Sequence, residues 1–454
     1  MKSELLNRIA LATRLCGVLI TSLSFKRDAW SRLVGPANYL RLLSLALLIP
    51  VSVTAQSIED YQQMAAENNP EVRAAFQQYL SSMEVESQVG ALPDPEVAFA
   101  YFISPIETRL GPQQARISLT QMFPWFGSLS DHRSVSEVRA KEQYEVFRET
   151  RNRLFFQTEK SLLELYELEQ SLSIAKENLD ILNSLVEISL RRYETDQASQ
   201  VDVLRAQIEQ EDLKTQIALL EDNREVLIRK VNELLNAKVE QEVTLPDTLI
   251  PQTDIESESE LKNQLIQQNP ALNRLRYQED SAREMKALAA KDGKPSFGIG
   301  VDYIFTGERS GVTNLTDNGK DAIMARASFK IPLFRNKYNA KVNQAELNIQ
   351  AVQSRIIDKE NKLETDLTSS LRDFYDAQRR YELYDQKQIQ RVNQALNIMT
   401  QKYATDSSNF EEILRMQRKL LDYQLSRIQA LVDMQVSSAY IDYLTGKNNI
   451  NLNK

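Results

Sequence analysis

The chain has 454 residues, 42 % hydrophobic and 26 % charged, with a formal net charge of −8. Glycine (12) and proline (13) are scarce for that length, which implies long helices with few turns. One cysteine and one histidine give little means of assembling a thiolate or imidazole metal cage, or a Ser/His/Asp or Cys/His catalytic arrangement. Carboxylate-only catalysis stays open, but the residue supply points away from an enzyme, and no cofactor or metal is expected.

The first 55 residues stand apart. Arg41 precedes LLSLALLIPVSV, an apolar run too short to span a bilayer as a mature helix, and Val53-Thr54-Ala55 follows before Gln56. A basic start, an apolar middle and a small-residue cleavage site read as a secretory signal ending at Ala55, behind an extension with its own apolar patch from Ile9 to Leu23. Cys16 follows Thr13-Arg14-Leu15, which does not resemble a lipoprotein processing box. Removing residues 1–55 leaves 48 basic and 61 acidic residues, a net charge near −13, and no cysteine. An exported chain without thiols relies on extensive packing in place of disulfides, and its acidic balance argues against nucleic acid as a partner.

From Ser57 to Val89 the pattern is amphipathic helix, with Ser57 as N-cap and a break at Asn68-Asn69-Pro70. Gly90 and Pro93-Asp94-Pro95 stop it. Residues 96–104 and 113–123 are short and rich in β-branched and aromatic residues, so they predict a β-hairpin whose turn contains Pro105, Gly111 and Pro112. Pro124-Trp125-Phe126-Gly127 is the next stop. From Ser128 to Tyr193 no proline or glycine appears, which allows one helix of about 100 Å. Leu165, Leu172, Leu179, Val186 and Tyr193 form one heptad row along it, and Leu168, Ala175 and Leu182 another. The return arm carries Leu213, Leu220, Leu227 and Leu234 at the same spacing, with Ile217 and Val231, so two antiparallel arms share a tip.

That tip is repeated. RRYETDQASQVDVLRAQ (191–207) matches QKYATDSSNFEEILRMQ (401–417) at six of seventeen positions, where ordinary composition gives about one. The chain is a tandem duplication: repeat one spans 56–240, a Pro246/Pro251 linker spans 241–256, repeat two spans 257–447, and a tail spans 448–454. In the second repeat Asn269-Pro270 echoes Asn69-Pro70. Phe297, Ile299, Val301, Tyr303 and Phe305 alternate with small or polar residues, and Ile323, Ala325, Ala327, Phe329 and Ile331 do the same in the paired strand. Between these strands lies the polar loop GERSGVTNLTDNGK. After Pro332-Leu333-Phe334 an uninterrupted helix is expected from Lys337 to Tyr403, and a final arm from Asn409 to Leu444.

Four strands cannot close a barrel alone, whereas three chains supply twelve, an even number without edges. The fold class expected is a mixed α and β membrane protein. It is a trimeric 12-stranded β-barrel with four strands per chain, continued by a long antiparallel α-helical coiled-coil barrel. A periplasmic coiled-coil scaffold is the alternative, but a scaffold has no use for hairpins that interrupt its helices.

The two-fold plan of short helix, hairpin, long helix, tip and return helix, with Arg192-Tyr193 or Lys402-Tyr403 before the tip and DVLRAQ after it, resembles the TolC family of outer-membrane efflux ducts. LPDPE (92–96) and SLTQMFPWFG (118–127) look most like the branch that accompanies heavy-metal pumps, such as CusC and CzcC. The resemblance implies a homotrimer in outer-membrane lipid whose helical tunnel enters the periplasm. There it meets a periplasmic adaptor and an inner-membrane pump, expected to be of the RND type; a duct for type I protein secretion is the competing reading. It also implies a gate at the tips. Asp202 and Glu412 lie near the family's acidic ring positions, and Tyr193 and Tyr403 resemble its gate tyrosines. Asp196 and Asp406 stand where the family usually has glycine, so a left-handed turn there must be borne by aspartate. The plainer alternatives are one-turn ion pairs, Asp202 with Arg205 and Glu412 with Arg415, and tyrosines that simply fill the heptad seam, the expected role for Tyr193.

Overall fold

The computed structural model describes residues 57–252, 254–311, 315–405 and 409–447. The expected signal segment, the C-terminal tail and Asp406 lie outside the described residues. Each repeat runs through the same elements. The first is α1 (Ile58–Asn68), α2 (Pro70–Val89), β1 (Glu96–Thr108), β2 (Gly111–Phe123), α3 (Ser128–Glu194) and α4 (Gln200–Leu234). The second is α5 (Glu258–Gln268), α6 (Pro270–Asp292), β3 (Ser296–Thr306), β4 (Ala322–Lys330), α7 (Arg335–Leu383), α8 (Ile389–Thr405) and α9 (Phe410–Thr445).

The helices form a wall of four rods. α3 is one rod of 67 residues, about 100 Å at 1.5 Å per residue. Its upper half packs between α2 and α6, tied by Arg133 to the Gly90 carbonyl (3.0 Å) and by Lys291 to Asp131 (2.7 Å). Its lower half packs between α4 and α9 over Leu168, Leu182, Leu213 and Leu420. α7 and α8 form a second long rod beside α6 and α9.

The other two rods are spliced. α4 ends where α2 begins, and α9 ends where α6 begins, with one asparagine at each joint. Asn69 Oδ1 accepts from the Glu71 and Val72 N–H groups (2.9 and 3.4 Å) while its Nδ2 donates to the Leu234 carbonyl (3.0 Å). Asn269 Oδ1 accepts from Leu272 N–H (3.1 Å) and its Nδ2 donates to the Leu444 carbonyl (2.9 Å). One side chain thus satisfies an orphan donor of one helix and an orphan acceptor of the other. Pro70 and Pro270, at the first helical position, have no N–H to satisfy.

α1, α5 and the segment between the repeats lie against the middle of this wall. The Tyr61 hydroxyl donates to the Thr244 carbonyl (3.1 Å), Leu249 N–H donates to the Tyr166 hydroxyl (3.3 Å), and Leu265, Leu272, Leu367 and Leu444 close the apolar layer under α5.

The four strands make one antiparallel sheet in the order β1-β2-β3-β4, so the two hairpins join through β2 and β3 and leave β1 and β4 as free edges. The first hairpin is longer than the sequence suggested. Pro105 lies inside β1, in the register break between Tyr101 and Ile106, where an edge strand tolerates a missing donor. The turn tightens to Arg109-Leu110, closed by Gly111 at φ +127°, where a Cβ would sit 1.9 Å from the Gly307 carbonyl oxygen.

The rod expected from Lys337 to Tyr403 is not uninterrupted: a π-helical turn occupies Tyr384–Gln388. A strict heptad from Tyr381 would put Gln388 in the core. The wide turn absorbs one residue, so Ile389, Val392 and Leu396 pack there instead.

Candidate functional site

Two surfaces carry the chemistry, the hairpin tips and the sheet. At the first tip α3 ends at Glu194, and Asp196 takes the left-handed conformation at φ 59°, as expected for the residue standing in place of glycine. Gln197 N–H donates to the Arg192 carbonyl (2.8 Å), closing the last turn of α3. α4 then starts with a capping box: Asp202 N–H donates to Ser199 Oγ (3.3 Å) and the Asp202 carboxylate accepts from Ser199 N–H (3.4 Å).

Asp202 therefore does not pair with Arg205. Arg205 reaches 3.0 Å to Glu411 on α9 and so ties the two repeats together. Glu412 does pair with Arg415 one turn on, at 3.1 Å. Both pairs are largely exposed, and such pairs contribute roughly 0–1 kcal/mol.

The two tyrosines have parted. Tyr193 is 41 % exposed and so does not fill the heptad seam. Tyr403 is 3 % exposed. The Arg192 guanidinium lies over its ring at 4.6 Å, and Phe410 packs against it with ring centroids 4.9 Å apart. Its hydroxyl is buried with no hydrogen-bond partner. Burial, with Asp202 nearby, raises the phenol's pKa, and Arg192 opposes the rise. The structure thus gathers Arg192, Asp202, Tyr403 and Phe410 into one cluster and Arg205 with Glu411 into a second contact. Sequence reasoning missed Arg192, Phe410 and Glu411 as site residues; the Arg192/Lys402 pair of the repeat was the one visible signal.

Above the tips, α3 and α9 share a buried amide network. Gln417 Nε2 donates to Asn178 Oδ1 (2.8 Å), and Asn178 Nδ2 donates to Gln424 Oε1 (2.7 Å) and to the Ile174 carbonyl (2.8 Å). Gln417 belongs to the repeated stretch, but nothing in the spacing named its partner.

In the sheet the usual sense of burial is reversed. Val97, Phe99, Tyr101, Ile117, Leu119, Ile299, Val301, Ile323 and Phe329 all project from one face and are exposed. The opposite face carries Arg116, Ser118, Thr120, Gly298, Gly300, Asp302, Arg326 and Ser328. Asp302 is fully buried on that face, 3.6 Å from Arg326, which crosses over Gly300 to donate to Thr120 Oγ1 at 2.7 Å. A continuous apolar face of this size is foreign to a sheet in water and matches one that meets hydrocarbon, with a polar interior behind it. Among the described residues no helix is long and apolar enough to cross a membrane, and no group of His, Cys, Asp or Glu is arranged to hold a metal ion.

Residues 61–237 match the family model described as outer membrane efflux protein. That match covers the first repeat of the chain. Solved structures agree over most of its length. The outer-membrane channel OprN aligns with a TM-score of 0.73 at 15 % identity, covering 86 % of this chain and 89 % of that one. VceC from Vibrio cholerae aligns at 0.68 and 14 % identity, covering 86 % and 96 %. CusC aligns at 0.69 and 14 %, covering 87 % and 95 %. At these identities the likeness is one of fold, and CusC is not set apart from the others. No curated protein matches the sequence. The shared fold takes in both the four-stranded sheet and the helical wall.

Proposed function

We propose that this protein is the passive exit duct of a tripartite efflux system, set in the outer membrane with its helical tunnel in the periplasm. The observation that carries the reading is the four-stranded sheet with one exposed apolar face and two free edges. Three chains joined β4 to β1 give twelve strands and no edge, which is what lipid requires. The edge rods of the helical wall support the same assembly. Val201, Leu204, Ile208, Leu219 and Val226 on α4, and Leu347, Ile357 and Ile398 on α7 and α8, are exposed in the single chain and would be covered by neighbouring copies.

The tips are the periplasmic gate. Arg192 on Tyr403 and Arg205 on Glu411 bind the two hairpins of one chain together, so opening requires both contacts to part. Asp196 forms the turn of the first tip, Asp202, Glu412 and Arg415 edge the entrance, and Tyr193 projects toward whatever docks there. An adaptor and an RND-type pump are the partners this reading calls for; nothing in the fold favours polypeptide over small solutes.

The test is assembly and conduction. Detergent-purified protein should run as a heat-modifiable trimer and give steps of ionic current across planar lipid. A monomer that carries no current would overturn the reading.

A further inference from the structure

The chain is acidic overall, yet at one place its basic residues converge and outnumber the acids. Where the sheet meets the helical wall, a cavity of about 330 Å³ is lined by Lys291, Lys294, Lys330, Lys337, Lys341 and His132. Two of these lysines are neutralised, Lys291 by Asp131 (2.7 Å) and Lys341 by Asp292 (2.7 Å). Lys294, Lys330 and Lys337 have no carboxylate partner among the described residues, which leaves three uncompensated ammonium groups per chain around one hollow.

The helices make the excess larger. The N-termini of α3 and α7 both border the cavity, through Ser128 and Lys337, and neither has a side-chain cap. Helix N-termini carry partial positive charge and ordinarily attract acidic residues, whereas the first two turns of α7 present Lys337 and Lys341. The first turn of α3 does carry an acid, Asp131, but Lys291 already neutralises it, so the uncompensated charge at the cavity comes from α7 and from Lys294 and Lys330.

The strand parity says which side the cavity opens on. Phe329 and Ile331 project to the apolar face, so Lys330 between them points to the polar one, and Ser296, its partner in register, does the same. In the closed barrel that face is the lumen.

We propose that this lysine cluster is an oxyanion site facing the conduit at the neck between barrel and tunnel, which favours solutes bearing phosphate or carboxylate groups in transit. It rests on the exit-duct reading for its place in the conduit, while the site itself can be tested without conduction. Three copies would surround one passage, and a ring of uncompensated ammonium groups attracts anions and repels cations.

The experiment uses the full-length trimer in detergent and in planar lipid, with inorganic tripolyphosphate as the probe. Calorimetry should show tripolyphosphate binding to the wild type, weakened at least tenfold in Lys294→Gln/Lys330→Gln/Lys337→Gln. The same anion should block current through the wild type and leave the variant conducting. Lys330→Gln alone, at an exposed position, should weaken binding partially and decides the matter where the triple variant does not assemble. Equal binding by wild type and variants, or none by either, overturns the site. Binding without block, in a channel that conducts, overturns its place in the conduit. A wild type that binds the anion but never conducts counts against the exit duct and leaves the lysine site standing.

Discussion

Asn69 and Asn269 each do at a helix joint what two separate caps would otherwise do. Asn269→Ala removes a buried bond to Leu444 and the cap of α6 together, and should lower stability by about 1–3 kcal/mol, read as a fall in the thermal transition of the trimer. Asn269→Asp keeps an acceptor for Leu272 N–H but loses the donor, so its loss should be intermediate at neutral pH. Tyr403 makes an opposite case. Its hydroxyl is buried with no partner, so Tyr403→Phe should leave stability unchanged or slightly higher, whereas Tyr403→Ala removes the surface that Arg192 and Phe410 pack on and should cost about 3–5 kcal/mol. Single-channel recording separates the two: the alanine variant should conduct more than the wild type, the phenylalanine variant the same. Asp196 was the easiest of these residues to anticipate, because a tight tip demands a left-handed residue wherever it occurs. Arg205 was not, because its partner Glu411 lies in the other repeat, and one-turn spacing offered Asp202 instead.

Among the elements, strands and helices differ in how much they disclosed. The alternation from Phe297 to Phe305 fixed which residues share a face, and register pairs each with an equally apolar neighbour on β2 or β4. What alternation left open was which face meets water, and the exposure of Ile299 and Val301 beside a buried Asp302 answers it. Val301→Arg should therefore cut the trimer recovered in outer-membrane fractions severely, at about 2–4 kcal/mol per chain for an arginine near mid-bilayer, while Ser328→Arg on the polar face should assemble normally. Long helices were legible from the absence of glycine and proline over residues 128–193. The π turn at Tyr384–Gln388 was not, since a one-residue slip in an apolar row looks the same whether the helix bulges or the seam drifts.

Across the whole molecule, the place where α1 packs on α3 and α9 comes near carries a pH dependence. Burial, then the neighbouring Asp442 and Glu59, push the Glu159 carboxyl up to about 7, while the hydrogen bond from Gln62 pulls it back. Asp442 is itself raised by burial, against Lys447. The folded chain keeps a proton on Glu159 that the unfolded chain gives up at an ordinary carboxylate pKa, so this group's contribution is fully present at low pH and is lost as pH rises through about 7. Its size is on the order of 3 kcal/mol. The melting temperature of the trimer should fall between pH 5 and 8, and Glu159→Gln should flatten that fall and raise stability at pH 8. A variant with the wild-type slope would place the sensitivity elsewhere.

The sequence alone determined the duplication, the strand alternation, the long helices, the left-handed aspartate and the scarcity of catalytic groups, since each follows from local spacing or from residue supply. Tertiary structure decided what depends on residues far apart in the chain: the asparagine splices, the Arg192–Tyr403 and Arg205–Glu411 contacts, the exposure of Tyr193 and the lysine-lined cavity. The reason is physical. Backbone geometry repeats every two or 3.6 residues and leaves a periodic trace, whereas packing two repeats side by side brings together positions some two hundred residues apart, and no period records that.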